Sequence, residues 1–350
     1  MLLKILLLPL SALYGLVVGI RNFMFNYGML KSREFSIPVI CVGNITVGGT
    51  GKTPHTELII SELQKKYKVA CLSRGYKRKT TGFILADEHS TASDIGDEPL
   101  QIKLKFPNII VASDANRVRG IETILNLPEK PDVIILDDAF QHRYVKAGKN
   151  VLLMDYTRLV YKDFLLPAGR LRESKKGLRR ADYIIVSKCP SELKPIEKRI
   201  IFKHLKIKPY QKLFFTTTAY GNIQKLFPGT TLEQIPKDAS VLCVTGIAKP
   251  EPYIAYLKEN SKEVHELRFP DHHHFSLKDI QQIASVFKNM KNPHKYIFTT
   301  EKDAVRLKSF EHIPDEIKDR IYYIPIAPTF LAKQDLFITE LNDYVAKTKK

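Results

Sequence analysis

Apolar positions along the chain fall into two kinds of run. One is a single uncharged stretch at the N-terminus, residues 5–20 (ILLLPLSALYGLVVGI), with Lys4 before it and Arg21 after it. The others are short: residues 37–42 (IPVICV), 68–72, 109–112, 133–136, 151–154 and 183–186. Runs of this length between polar or turn-forming sequence predict buried strands, and residues 53–66 between two of them read as a helix. Buried strands alternating with helices predict a parallel sheet covered on both faces. The pattern changes near residues 212–238, where KLFFTTTAYGNI is β-rich and Pro228, Gly229 and Pro236 mark turns. A second alternation follows, with strands at 241–244, 264–269, 296–299 and 321–325 and helices at 253–259 and 277–290. The expected organisation is an N-terminal helical segment (1–36), a larger α/β domain (37–211), a β-rich hinge (212–239) and a smaller C-terminal α/β domain (240–350).

The N-terminal run admits several readings. A signal peptide wants a small-residue cleavage site and a disulfide-permissive remainder, and neither is evident. A full membrane span needs about 20 apolar residues, and this run is shorter and contains Pro9 and Gly15. A helix lying in or dipping into one leaflet fits best, with Arg21, Lys31 and Arg33 placed to meet lipid phosphates. A core helix wrapped by the rest of the protein is the competing reading.

Charge narrows the partners. The 350 residues carry 55 Lys and Arg against 37 Asp and Glu, a formal net charge of +18. Such a balance favours nucleic acid, phosphorylated substrates or an acidic bilayer. No RNP-like aromatic motif or zinc-finger spacing accompanies it, so nucleic acid is not expected. Cys41, Cys71, Cys189 and Cys243 form no CxxC pair and read as buried, reduced thiols of a cytoplasmic protein.

The chemistry begins between the first strand and the next helix, at GNITVGGTGKT (residues 43–53). This is the context of a phosphate loop. Glycines let successive N–H groups converge on phosphate oxygens, and the helix N-terminus adds its dipole. Residues Thr46, Val47, Gly48, Gly49, Thr50 and Gly51 would form the cradle. Lys52 would reach the β- and γ-phosphates, and the Thr53 hydroxyl would ligate Mg²⁺. One departure stands out: the strict pattern has glycine six residues before the lysine, where this chain has Thr46. The strand at 133–136 runs into Asp137 and Asp138, which puts two carboxylates at the edge of the sheet where metal and phosphate bind. A lone GKT or an ordinary Gly-rich turn would be weaker evidence than this pairing. Glu301-Lys302-Asp303 lacks the Asn-Lys-x-Asp order of guanine recognition. The His272-His273-His274 run has no second ligand cluster of zinc-like spacing.

Several blocks in order resemble one family: VGN with TVGGTGKTP (residues 42–54), LSRGY (72–76), GDEP (96–99), ILDDAFQHR (135–143), LLPAGRLRE (165–173), FPDHHHF (269–275) and TTEKDAV (299–305). Together they are similar to tetraacyldisaccharide 4′-kinase, the lipid A kinase family of Gram-negative bacteria, and Thr46 matches that family too. The resemblance implies transfer of the γ-phosphoryl group of ATP, with Mg²⁺, to the 4′-hydroxyl of a tetraacylated disaccharide 1-phosphate, giving lipid IVA and ADP. It implies a P-loop NTPase-type domain with a second, smaller α/β domain and a membrane-associated N-terminal helix. It also implies a monotopic or peripheral protein on the cytoplasmic face of the inner membrane, expected to act as a monomer. Asp97 resembles the carboxylate that prepares the sugar hydroxyl, and His272 the histidine that partners it. Glu98, Arg117, Gln141, His142 and Arg170 match positions around substrate and phosphates. Two rivals stay open on the residues alone: a membrane-associated ATPase with no phosphoryl acceptor, and a basic scaffold with a degenerate nucleotide site.

Overall fold

The computed structural model describes residues 2–308, 310 and 313–348, with side chains described from Ile5 onward; the Lys4 side chain falls outside it. The chain opens with helix α1 (Leu2–Asn26). It continues with β1 (Val39–Asn44), α2 (Lys52–Leu63), β2 (Val69–Ser73), β3 (Ile84–Leu85), α3 (Ala92–Ile95), α4 (Asp97–Lys105) and β4 (Ile110–Ser113). Then come α5 (Arg117–Leu125), β5 (Val133–Asp137), β6 (Lys149–Asp155), β7 (Tyr183–Ser187), α6 (Pro195–Leu205) and β8 (Lys212–Tyr220). The order β8-β7-β6-β1-β5-β2-β4 is parallel throughout, and β3 closes that edge antiparallel to β4. Every residue of β1, β2, β5 and β7 is buried. That explains why these strands read as unbroken apolar runs: a parallel sheet covered on both faces has no polar side to alternate with.

The remaining elements are β9 (Gln224–Lys225), β10 (Ser240–Thr245), α7 (Glu251–Asn260), β11 (Glu263–Arg268), α8 (Leu277–Asn289), β12 (Lys295–Thr300), α9 (Glu301–Lys308), α10 (Asp315–Lys318), β13 (Ile321–Ile324), β14 (Ile326–Phe330) and α11 (Gln334–Thr348). A second sheet has the order β11-β10-β12-β13-β9, parallel except for β9. Two buried clusters flank it, one around Leu242, Ile283 and Leu307, the other around Val241, Leu257 and Phe298.

The chain divides into two compact units, residues 1–218 with 328–350, and residues 219–327. The second unit therefore ends at Ala327, whereas the sequence pattern carried it to the C-terminus. The reason is packing. β14 joins the first sheet beside β8, and α11 buries Phe337, Leu341 and Val345 on one face. Phe337 meets Tyr183 and Phe214 edge-on at 5.3 and 5.4 Å. The Tyr344 hydroxyl accepts from the Val39 amide at 3.1 Å, which ties the last helix to the strand that feeds the phosphate loop.

Helix α1 inverts the usual amphipathic arrangement. Ser11, Tyr14, Gly15, Val18, Asn22 and Phe25 recur at the three- and four-residue spacing of one helix face, and this narrow stripe is the side turned to the protein. Its contacts are largely polar. Ser11 Oγ donates to the Leu165 carbonyl at 3.0 Å and accepts from the Ala168 amide at 2.9 Å. The Tyr14 hydroxyl donates to the Arg172 carbonyl at 2.8 Å, and Arg143 donates to the Asn22 carbonyl at 2.9 Å. Leu6, Leu10, Leu13, Leu16, Val17 and Ile20 point outward, each more than half exposed. The wrapped core helix is thus not what forms. The helix is also longer than the uncharged run: residues 5–26 are long and apolar enough to cross a membrane by length and composition, so length alone does not separate spanning from lying in one leaflet.

Candidate active site

Parallel strands deliver their C-terminal ends to one edge of the first sheet, and the site is built there. β1 sits between β5 and β6, so connections leave to both sides of it. A crevice at such a switch point is where open α/β sheets bind ligands. The loop after β1 wraps into α2. Gly51 is the residue before α2 and adopts a left-handed conformation (φ 79°), and Gly48 lies at φ 106°. Both conformations are ones that glycine adopts without strain. Thr46 is different. It has no positive φ and forms an antiparallel bridge with Leu171, so nothing at that position requires glycine.

The LPAGRLRE segment zips onto this loop. The Val47 amide donates to the Arg170 carbonyl at 2.7 Å, and the Arg172 amide donates to the Ile45 carbonyl at 2.8 Å. The same segment carries the α1 contacts, so one stretch of chain touches both the outward-facing helix and the phosphate loop.

Lys52 lies in the first turn of α2, 3.6 Å from Asp138, with its side chain 11% exposed. Thr53 beside it is buried. Asp138 holds a left-handed backbone (φ 45°) just past β5 and also pairs with Arg172 at 3.3 Å. Asp137 is fully buried and accepts from the Thr56 hydroxyl at 2.9 Å. Burial, then the charges of Glu98 and Asp138, push its carboxyl up to about 7, against the opposing pull of Lys52. The structure therefore gathers Lys52, Thr53, Asp137, Asp138 and Glu98 at one edge. Asp97 is buried at the start of α4, next to Glu98.

The other expected residues divide by role. Arg117 is buried and donates to the Asp114 carbonyl at 3.1 Å and the Asp137 carbonyl at 3.4 Å. Its Nε has no partner among the described residues. His142 Nε2 is likewise buried without a partner. Burial, then Arg117, Arg21 and Arg74, lowers the His142 imidazole to about 4, so it stays neutral at physiological pH. Gln141 is a brace: its Nε2 donates to the Asn44 carbonyl and to Glu173, and its Oε1 accepts from Arg172 at 3.3 Å. The Arg170 side chain comes to the open side of Gly48, where an added Cβ would meet its Nη1 at 3.8 Å. His272 belongs to the second unit. Its neighbour His273 pairs with Asp279 at 2.9 Å and stacks on Phe269.

Two cations here escaped the sequence reading, and a third, Arg172 of the basic run at 170–180, was read only as a contact for lipid phosphate. Arg158 lies 3.2 Å from a Cβ built on Gly48, Lys188 donates to the Gly49 carbonyl, and Arg172 pairs with Asp138. Arg158 and Lys188 both approach Asp155, at 4.0 and 3.5 Å. The signal available was position: Lys188 directly follows β7, and Arg158 follows β6 by three residues.

The donor set fits a nucleotide polyphosphate with Mg²⁺. Lys52, Arg158, Arg170 and Lys188 gather around the glycine loop, and the buried Asp137 with the part-buried Asp138 would suit a divalent ion. Among the described residues no three His, Cys, Asp or Glu side chains form a protein-only cage. Magnesium at a phosphate loop needs none, because it keeps waters and phosphate oxygens as ligands.

Comparison with known proteins decides the family. The family described as tetraacyldisaccharide-1-P 4′-kinase matches residues 3–346. The chain belongs to this family. Among curated relatives, the tetraacyldisaccharide 4′-kinase of Bacteroides thetaiotaomicron is 49% identical, over 98% of this chain and 94% of the relative. That of Flavobacterium johnsoniae is 47% identical, over 98% of each. A solved structure of LpxK from Aquifex aeolicus in complex with ATP is similar at TM-score 0.76 and 28% identity, covering 98% of this chain and 99% of the other. As a member of the tetraacyldisaccharide 4′-kinase family, the protein is an ATP-dependent kinase. It phosphorylates the 4′-hydroxyl of the lipid disaccharide 1-phosphate to give lipid IVA, a step of lipid A biosynthesis. The ATPase and scaffold alternatives fall with that assignment.

Proposed function

We propose that this kinase works as a monomer on the cytoplasmic face of the inner membrane, with α1 in the bilayer and the phosphate-loop edge turned to substrate drawn from it. The outward apolar face of α1 carries this reading. In water that face leaves Leu6, Leu13, Leu16 and Val17 about 60% exposed or more, a cost that lipid removes. All four cysteines are buried and free, which suits a reducing compartment.

In the proposed site, loop amides and Lys52 hold the β- and γ-phosphates, with Arg158, Arg170 and Lys188 adding positive charge around the glycines. Thr53, Asp137 and Asp138 hold Mg²⁺, which when bound neutralises phosphate charge. Asp97 accepts the proton of the 4′-hydroxyl as its oxygen bonds to the γ-phosphorus, and the bond to the ADP oxygen breaks. By resemblance to the family, His272 serves the same proton transfer. Glu98, Arg117, Gln141 and His142 keep this edge in shape.

Removing residues 1–26 tests the membrane part. The truncated chain is expected to stay in the aqueous fraction when the full chain floats with anionic vesicles, and to keep ATP binding. Equal flotation of the two would place the anchor elsewhere, with the basic run Arg170, Arg172, Lys175, Lys176, Arg179 and Arg180 the next candidate.

A further inference from the structure

The TTEKDAV block has no part in the site described so far, yet its Asp303 forms a buried ion pair in the second unit with Arg306, the residue just after the block. Asp303 is fully buried and Arg306 nearly so, with Arg306 Nη1 donating to Asp303 Oδ1 at 2.9 Å. The carboxylate is saturated from the other side. The Gly246 amide donates to Asp303 Oδ2 at 2.9 Å, and the Thr300 hydroxyl donates to it at 2.7 Å. A buried pair of this kind is costly unless its remaining hydrogen-bond capacity is used, and here part of that capacity reaches His272 and the loop beside it. Arg306 Nη2 lies 3.2 Å from His272 Nδ1, and Arg306 Nη1 also donates to the Gly246 carbonyl at 3.3 Å. The His272 amide donates to that same carbonyl at 3.1 Å. His272 itself sits in the left-handed region, φ 59°. For a residue other than glycine that conformation persists only where its surroundings over-determine it.

A guanidinium has only donors. Beside Arg306, Nδ1 must therefore be the accepting nitrogen, and the ring proton resides on Nε2, which lies 4.0 Å from Asp271. We propose that Arg306, fixed by Asp303, is a positioning residue for His272: it sets the orientation of the imidazole and its Nε2–H tautomer. The consequence for catalysis rests on the reading that His272 partners Asp97, since an Nε2–H donor suits a carboxylate acceptor and an unprotonated Nε2 does not. The tautomer itself does not depend on that reading.

Nitrogen-15 histidine spectra of the full chain, with His272 identified by its absence in His272→Ala, read the tautomer directly. The expected result is a neutral ring protonated at Nε2 in the wild type. In Arg306→Met the signal should shift to a mixture, and Arg306→Lys should restore it. Turnover on the lipid disaccharide should fall about 10- to 100-fold in Arg306→Met, as when an outer partner that orients an imidazole is removed. The KM for ATP should stay unchanged, and Arg306→Lys should recover most of the turnover. A wild-type His272 protonated at Nδ1 overturns the proposal even if Arg306→Met fails to fold. A folded Arg306→Met with an unaltered His272 spectrum overturns it as well. Normal turnover in His272→Ala would instead remove the partnership with Asp97 and leave the tautomer assignment to stand on the spectrum.

Discussion

Lys52→Ala is expected to reduce phosphoryl transfer by about 10² to 10³ or more, the usual cost of removing a preorganised charge aimed at the transition state. Lys52 occupies the first turn of α2 with its side chain nearly enclosed, and it pairs with Asp138 at 3.6 Å. Deleting it should not unfold the domain, because Asp138 retains Arg172 and the α2 packing through Ile59, Ile60 and Leu63 is untouched. Radiolabel transfer from γ-labelled ATP to the lipid disaccharide gives the rate, and thermal unfolding checks the fold. Near-normal turnover in a folded variant would mean that the phosphates bind away from this loop.

Asp97→Ala and His272→Ala are expected each to lower kcat strongly, with less effect on the KM for ATP, and the double variant to be little worse than the poorer single. A sugar hydroxyl is a weak nucleophile, and a carboxylate that takes its proton as the new bond forms is typically worth 10²- to 10⁴-fold. Asp97 is buried at the start of α4, so its loss removes a positioned acceptor rather than a surface charge. Residues that act as one unit give strongly non-additive losses. Fully multiplicative losses in this cycle would show that the two act independently.

The centre of the first sheet was legible because β1, β2, β5 and β7 are buried on both faces, whereas the part-exposed β8 reads as a hinge. IPVICV, VIILD and YIIVS need no alternation to be recognised, and the phosphate loop and the Asp137-Asp138 pair sit at their ends. The C-terminal return was not placed. β14 carries Pro328, and although Phe337, Leu341 and Val345 mark a helix at four-residue spacing, nothing local says which sheet that helix covers. Its partners Tyr183, Phe214 and Val39 lie 123 or more positions earlier. Arg158 and Lys188, and the place of Arg172 beside Asp138, were missed for a related reason. Each looks like an ordinary surface cation until strand order brings its loop beside Gly48, Gly49 or Asp138. Arg306 and His272 are 34 positions apart, a separation that no periodicity reports.

The segment at 165–173 has one further consequence. On one side it is hydrogen-bonded to α1 through Leu165, Ala168 and Arg172. On the other it is hydrogen-bonded to the phosphate loop through Arg170 and Arg172. Two ligands that each restrain one short stretch of backbone are thermodynamically linked, and linkage is reciprocal. If vesicles change the affinity for ATP by some factor, ATP must change the partition of the protein into vesicles by that same factor. Nucleotide titrations with and without lipid, paired with flotation with and without ATP, should return one common ratio different from unity. A ratio of one would show that the stretch transmits nothing. Any other value would make a lipid surface an effector of the nucleotide site, and the nucleotide a determinant of how long the kinase stays on that surface.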